Sequence, residues 1–145
     1  MKLQKATLFA LYAVLDLAED RDKPRSAGEI AEKYDISINH LAKVLRDLGR
    51  AGLVEAARGV GGGYRFVGNA KRVTLMDIIE IFEDIRSGAG DARDPGASTD
   101  IGHSLHVVLG EIEDIARATL RSVTIETLLK HVRRDREQRR AAAAD

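Results

Sequence analysis

The chain has 145 residues, 44% of them apolar, which is enough for one domain with its own core, or for one domain plus an oligomerisation element. It contains no cysteine, which excludes disulfides, a thiolate nucleophile and any all-cysteine zinc or iron–sulfur site. Its charges cancel overall but not locally: residues 1 to 72 hold 13 Lys/Arg against 9 Asp/Glu and residues 73 to 145 hold 10 against 14, so the first half is the one suited to a polyanion.

No run approaches the ~18 apolar residues of a membrane helix, and Met1-Lys2-Leu3-Gln4-Lys5 leads into an amphipathic segment unlike a signal peptide. The expectation is a cytoplasmic protein with no membrane partner. Leu8, Leu11, Tyr12, Leu15 and Ala18 form a helical stripe, which predicts a first helix over residues 4 to 19, ended by the charged run Glu19 to Arg25 with Pro24. Ser26-Ala27-Gly28-Glu29 has the S-x-x-E form of a capping box and opens a short helix with Ile30 and Ala31 inward, stopping near Tyr34-Asp35.

Ser37 then caps a third helix, in which Leu41, Val44, Leu45 and Leu48 recur at three- and four-residue steps while Asn39, His40, Lys43, Arg46 and Arg50 lie largely off that stripe. Two helices joined by a short turn spell helix-turn-helix, whose second helix enters the major groove of DNA. Recognition helices dock by their N-terminal end, so Ser37, Asn39 and His40 are expected near base edges or phosphates, and Lys43 and Arg46 on phosphates.

The next stretch is too glycine-rich for helix. Two short strands, Leu53 to Ala57 and Tyr64 to Val67, flank Arg58-Gly59-Val60-Gly61-Gly62-Gly63. A phosphate-cradling loop is the competing reading, but no Lys-Ser/Thr follows and the next segment is strand-like rather than a helix start. The hairpin reading makes Arg58, Gly59, Gly61 and Gly62 a cationic tip free to approach DNA closely, with Arg65 on the outgoing strand.

Beyond the hairpin, Gly68-Asn69 turns the chain and Thr74 caps a helix with Leu75, Ile78, Ile79 and Phe82 inward, ending by Asp84 to Ser87. Residues 86 to 102 carry four glycines, the second proline and no apolar periodicity, and read as a long loop. From Ser104 a stripe of Leu105, Leu109, Ile112 and Ala116, widened by Val108 and Ile115, predicts a long helix over 104 to 120. It lies beyond the compact part, so a second copy of the chain is the simplest cover for it. Thr124 caps a final helix over Ile125, Leu128, Leu129 and Val132, and a charge-dense, alanine-rich tail follows. The resulting expectation is a mainly α fold. It comprises a winged helix-turn-helix domain (1–85), a loop (86–103), dimerisation and final helices (104–132) and a tail without assigned function (133–145).

Catalysis has little to work with. His40, His103, His106 and His131 are not arranged with a nucleophile or in a metal-protease spacing, so no enzyme is expected.

Gly52-Leu53-Val54 followed by Arg58-Gly59-Val60-Gly61-Gly62-Gly63-Tyr64 resembles the signature of the Rrf2 family of bacterial transcriptional regulators. Leu11-Tyr12-Ala13-Val14, Asn39-His40-Leu41 with Lys43-Val44, Val73-Thr74-Leu75 with Asp77-Ile78-Ile79, and Val123-Thr124 before Leu128-Leu129 extend the similarity from residue 1 to about residue 132. Asn39-His40-Leu41 leans towards the nitric-oxide-sensing branch. The resemblance implies a homodimeric repressor on a pseudo-palindromic operator in double-stranded DNA, with the wing arginine, here Arg58, in the minor groove. A winged-helix module that binds a protein instead of DNA is the alternative. The family often has an acidic or other polar residue where Ala42 stands, so the base preference of that subset does not transfer.

Regulators of this kind often bind an iron–sulfur cluster through three loop cysteines, sometimes helped by a histidine or a carboxylate. Counted back from Thr124, the third cysteine position falls on His103, the following histidine falls on His106, and the first-helix position that is acidic in nitric-oxide sensors is Leu8. No cluster is expected. His103 and His106, at i and i+3, with Asp91, Asp94 or Asp100, are the residues that could make a zinc or ferrous iron site; two exposed histidines without a ligand are the simpler reading.

Overall fold

A computed structural model describes residues 1–84 and 94–145. Its first helix, α1 (Lys5–Glu19), lies at the centre of the core, burying Thr7, Ala10, Ala13, Val14, Asp16, Leu17 and Ala18. That face is rotated from the expected stripe: Leu8 and Tyr12 are exposed at 37% and 43%, because alanines let neighbouring helices approach the opposite side closely.

Ser26 caps α2 (Ala27–Tyr34) by accepting from the Glu29 amide at 3.0 Å, and Asp35 ends it in the left-handed region at φ 52°. Helix α3 (Ile38–Arg50) follows after three residues and buries Leu41, Val44, Leu45 and Leu48, the four positions its periodicity predicts. Strands β1 (Val54–Ala57) and β2 (Gly63–Phe66) pair antiparallel, with Val54 opposite Phe66 and Ala57 opposite Gly63. β1 begins one residue later than expected and ends at the expected Ala57, and β2 is shifted one residue towards the N-terminus. Phe66 and Val54 plug the base of this hairpin into the core at 1% and 3% exposure.

Helix α4 (Leu75–Phe82) carries a complete capping box: the Asp77 amide donates to Thr74 Oγ1 at 3.2 Å and the Thr74 amide to Asp77 Oδ2 at 2.9 Å. Met76, Ile78 and Ile79 are its buried residues, while Leu75 and Phe82, expected inward, are half-buried. Of the expected 86–103 loop, residues 86–93, including Asp91, lie outside the described residues.

Helix α5 spans Asp100–Ser122, beginning four residues before the expected Ser104. Thr99 caps it by accepting from the Gly102 amide at 3.0 Å, and a side chain at Gly102 would run into the Gly96 carbonyl. That glycine, loop-like in sequence, is therefore a close-packing position inside the helix. Helix α6 spans Ile125–Ala144 and takes in most of the expected tail, whose alanines and arginines are strong helix formers. It returns to the first core: Ile125 and Leu129 are buried at 0% and 3%, in the same cluster as α1 and α3. Backbone bonds from Leu75 to Val123 and from Ile125 to Val73, both 2.9 Å, stitch the two helix starts together, and Arg136 pairs with Glu19 at 2.6 Å.

Candidate nucleic-acid interface

The N-terminal end of α3 projects away from the core. Ser37 accepts from the His40 amide at 3.5 Å, and Ser37, Asn39, Lys43 and Arg46 are exposed. His40 is half-buried, with its ring edge-on to Phe9 at 4.9 Å between centroids, so one face of the imidazole belongs to the α1–α3 contact. Lys43 and Arg46 make no ion pair among the described residues, which leaves their charge for an external anion, whereas Arg50 sits 3.9 Å from Asp47.

The hairpin tip is a glycine turn. Gly59 and Gly61 have φ of +100° and +79°, the Gly62 amide donates to the Gly59 carbonyl at 2.9 Å, and a Cβ at Gly62 would lie 2.5 Å from the Ala57 carbonyl oxygen. The turn holds Arg58 exposed and without a carboxylate partner among the described residues. Arg65 differs: its Nε donates to Glu55 Oε1 at 2.8 Å across the strands, so its charge is compensated within the wing.

Two features that orient this surface have no pattern in the sequence. The Arg25 amide donates to the Tyr64 carbonyl at 2.9 Å and the Tyr64 amide to the Arg25 carbonyl at 2.7 Å, which adds an antiparallel bridge beside the hairpin and ties it to the start of α2. Beneath lies Asp16, its side chain 1% exposed, with Lys33 Nζ at 2.5 Å, the Tyr34 hydroxyl at 2.7 Å and Arg25 Nε at 3.3 Å. Burial, then the Asp16 hydrogen bond, push the Tyr34 phenol well above its ordinary range. An acidic residue on the same helical face as Ala13 and Leu17 is the one signal that could have pointed to this node.

On α5 the expected stripe is exposed: Leu105 at 54%, Val108 at 52%, Leu109 at 44%, Ile112 at 57% and Ile115 at 67%, with Ala116 half-buried. Ile101 and Val107, not singled out from the sequence, extend the apolar surface at 83% and 48%.

At the start of α5, His103 is exposed, and His106 Nε2 lies 2.8 Å from Asp94 Oδ2. The Gly96 amide, then His106, hold the Asp94 carboxyl below the usual carboxylate range. Among the described residues no three His, Cys, Asp or Glu side chains come together as a metal site.

A helix with an exposed N-terminal end after a three-residue turn, beside a hairpin whose tip arginine has no ion-pair partner among the described residues, defines a winged helix-turn-helix transcriptional regulator. The Rrf2 family model, described as an iron-dependent transcriptional regulator, matches residues 3–131, and the chain belongs to that family. It is 57% identical over 142 residues, 97% of this chain and 87% of the other, to a protein of Rhodopseudomonas palustris named as the HTH-type transcriptional regulator BadM. It is also 36% identical over 97 residues, 62% of this chain and 63% of the other, to the HTH-type transcriptional regulator IscR of Cereibacter sphaeroides. Among solved structures, CymR, the global cysteine regulator of B. subtilis, superposes with a TM-score of 0.76 at 26% identity, covering 90% of this chain and 98% of that one. An iron–sulfur cluster does not fit the residues present: the chain has no thiolate to offer, and His106 is engaged by Asp94.

Proposed function

We propose that two copies of the chain, joined along α5, bind a pseudo-palindromic operator in cytoplasmic DNA and repress transcription by occupying it. One observation carries the reading: Lys43, Arg46 and Arg58 are exposed and lack ion-pair partners among the described residues, on the two elements that a winged helix applies to DNA. Ser37, Asn39 and His40 take the base-edge or phosphate positions at the α3 N-terminus, Lys43 and Arg46 take phosphates, and Arg58, carried by Gly59, Gly61 and Gly62, takes the minor groove. Arg65 contacts DNA only by leaving Glu55.

The dimer reading rests on the uncovered face from Leu105 through Val108, Leu109, Ile112 and Ile115 to Ala116, too apolar to remain in water. A two-fold crossing there sets two α3 helices for half-sites about 34 Å apart on one DNA face. The chain acts without catalysis, iron–sulfur cluster or other resident cofactor. Selection of bound fragments from the source genome tests this: one enriched pseudo-palindrome, shifted in a gel in a salt-dependent manner, is the expected result. Fragments without a shared sequence would favour the protein-binding alternative.

A further inference from the structure

The observation that the DNA reading does not absorb is Arg117. It sits on the face of α5 turned towards the winged part, with its side chain 15% exposed and its Nε buried without a hydrogen-bond partner among the described residues. Its ion-pair partner among the described residues, Asp114 Oδ1, is 3.9 Å from Nη1, too far for a hydrogen bond, and Asp114 is itself 77% exposed. A largely buried guanidinium with an unsatisfied donor is costly, and its fork suits a carboxylate.

Arg117 lines a cavity of about 290 Å³, together with Leu3, Ile79, Ala116 and Leu120, which supply an apolar wall. That volume is near the lower end of small-molecule sites, roughly 300 Å³. Lys2 adds a second cation, and Glu83, Asp84 and Glu113 add three acids. Glu83 and Asp84 both have partners already, Glu83 Oε1 accepting from the Gln4 amide at 2.7 Å. Acids around a single buried guanidinium select against phosphates and polycarboxylates, whose further charges would face them, and leave room for one carboxylate on a short apolar body.

We infer that this cavity is a binding site for a small monocarboxylate, its carboxylate on Arg117 and its apolar tail against Ile79, Ala116 and Leu120. The site joins Leu3, which leads into α1, and Ile79 on α4 to Ala116 and Leu120 on α5, so an occupant links the winged part to the helix whose outer face is apolar. Neither α3 nor the hairpin contributes to it.

The test follows the arginine Nε–Hε resonances of the full-length ¹⁵N-labelled protein during titration with hexanoate, with hexanamide and hexylamine as probes of equal length. Hexanoate is expected to shift the Arg117 resonance saturably and the other two to leave it in place. Arg117→Gln is expected to weaken hexanoate binding at least about tenfold, read on neighbouring methyl resonances. If Arg117→Gln does not fold, Arg117→Lys, which keeps the charge and loses the fork, serves instead and is expected to weaken binding in the same direction. The inference is overturned if hexanoate gives no saturable shift up to millimolar concentration, if hexanamide matches it, or if a folded Arg117 variant binds as the parent does. It is overturned equally if the Arg117 donor is already bonded to a second copy in the ligand-free protein. No DNA enters the readout, so a negative result leaves the DNA reading standing.

Discussion

Arg25 and Tyr64 exchange both backbone hydrogen bonds, at 2.9 and 2.7 Å, and this bridge ties the wing to the start of α2. Gly63 makes the approach possible. Its φ is +154°, and a Cβ there would lie 2.5 Å from the Arg25 carbonyl carbon and oxygen. Gly63→Ala is therefore expected to lower stability by about 2 kcal/mol and to release the wing. Faster amide exchange at Tyr64, with the exchange at Leu45 slowed or quickened only in proportion to global stability, is the expected signature. Unchanged protection at Tyr64 would show that the wing is held by other contacts.

The Asp16 node gives a pH dependence with a definite sign. Burial, followed by the Asp16 hydrogen bond, raises the folded-state pKa of Tyr34 above its ordinary 10.0, so the folded chain holds this proton more tightly than the unfolded chain does. The stabilisation is fully present below about pH 10, the unfolded tyrosine's value, and is lost as the pH climbs from there towards the folded-state value. In an alkaline titration followed by tyrosinate absorbance, a late step coinciding with loss of structure is expected, and Tyr34→Phe should abolish that step. A late step that survives in Tyr34→Phe would reassign it.

Ile112 lies in the middle of the α5 stripe at 57% exposure. A carboxylate there would be desolvated on dimer formation, so Ile112→Asp is expected to sediment as a folded monomer and to lose most operator affinity while retaining its helical circular dichroism. A dimer that persists would place the interface elsewhere on the molecule.

The legible parts of this chain are those in which one local pattern decides the outcome. Leu41, Val44, Leu45 and Leu48 are large, apolar and correctly spaced, and all four are buried. Ser26, Ser37, Thr74 and Thr124 each cap the helix they precede. Helix α1 misleads because size and burial part company: Ala10 and Ala13 are fully buried, while Leu8 and Tyr12 are exposed. The start of α5 hides because Thr99-Asp100-Ile101-Gly102 carries a cap but only one large apolar residue, and Gly102 reads as loop. Arg25 against Tyr64, Asp16 under Tyr34 and the isolated Arg117 are all tertiary placements. Beyond the place of Asp16 on the buried face of α1, nothing in the spacing of those residues announces them.

In the proposed function the wing arginine and the α3 N-terminus grip duplex DNA together, and Arg58 is the residue whose loss reads that grip. The grip is tested most directly by titrating the selected operator with the parent protein and with Arg58→Ala at several salt concentrations. The expected result is a loss of about 1–3 kcal/mol of binding free energy in the variant, roughly 5- to 150-fold, with a shallower salt dependence and an unchanged melting temperature. Equal affinity and equal salt dependence for parent and variant would contradict a wing contact through Arg58.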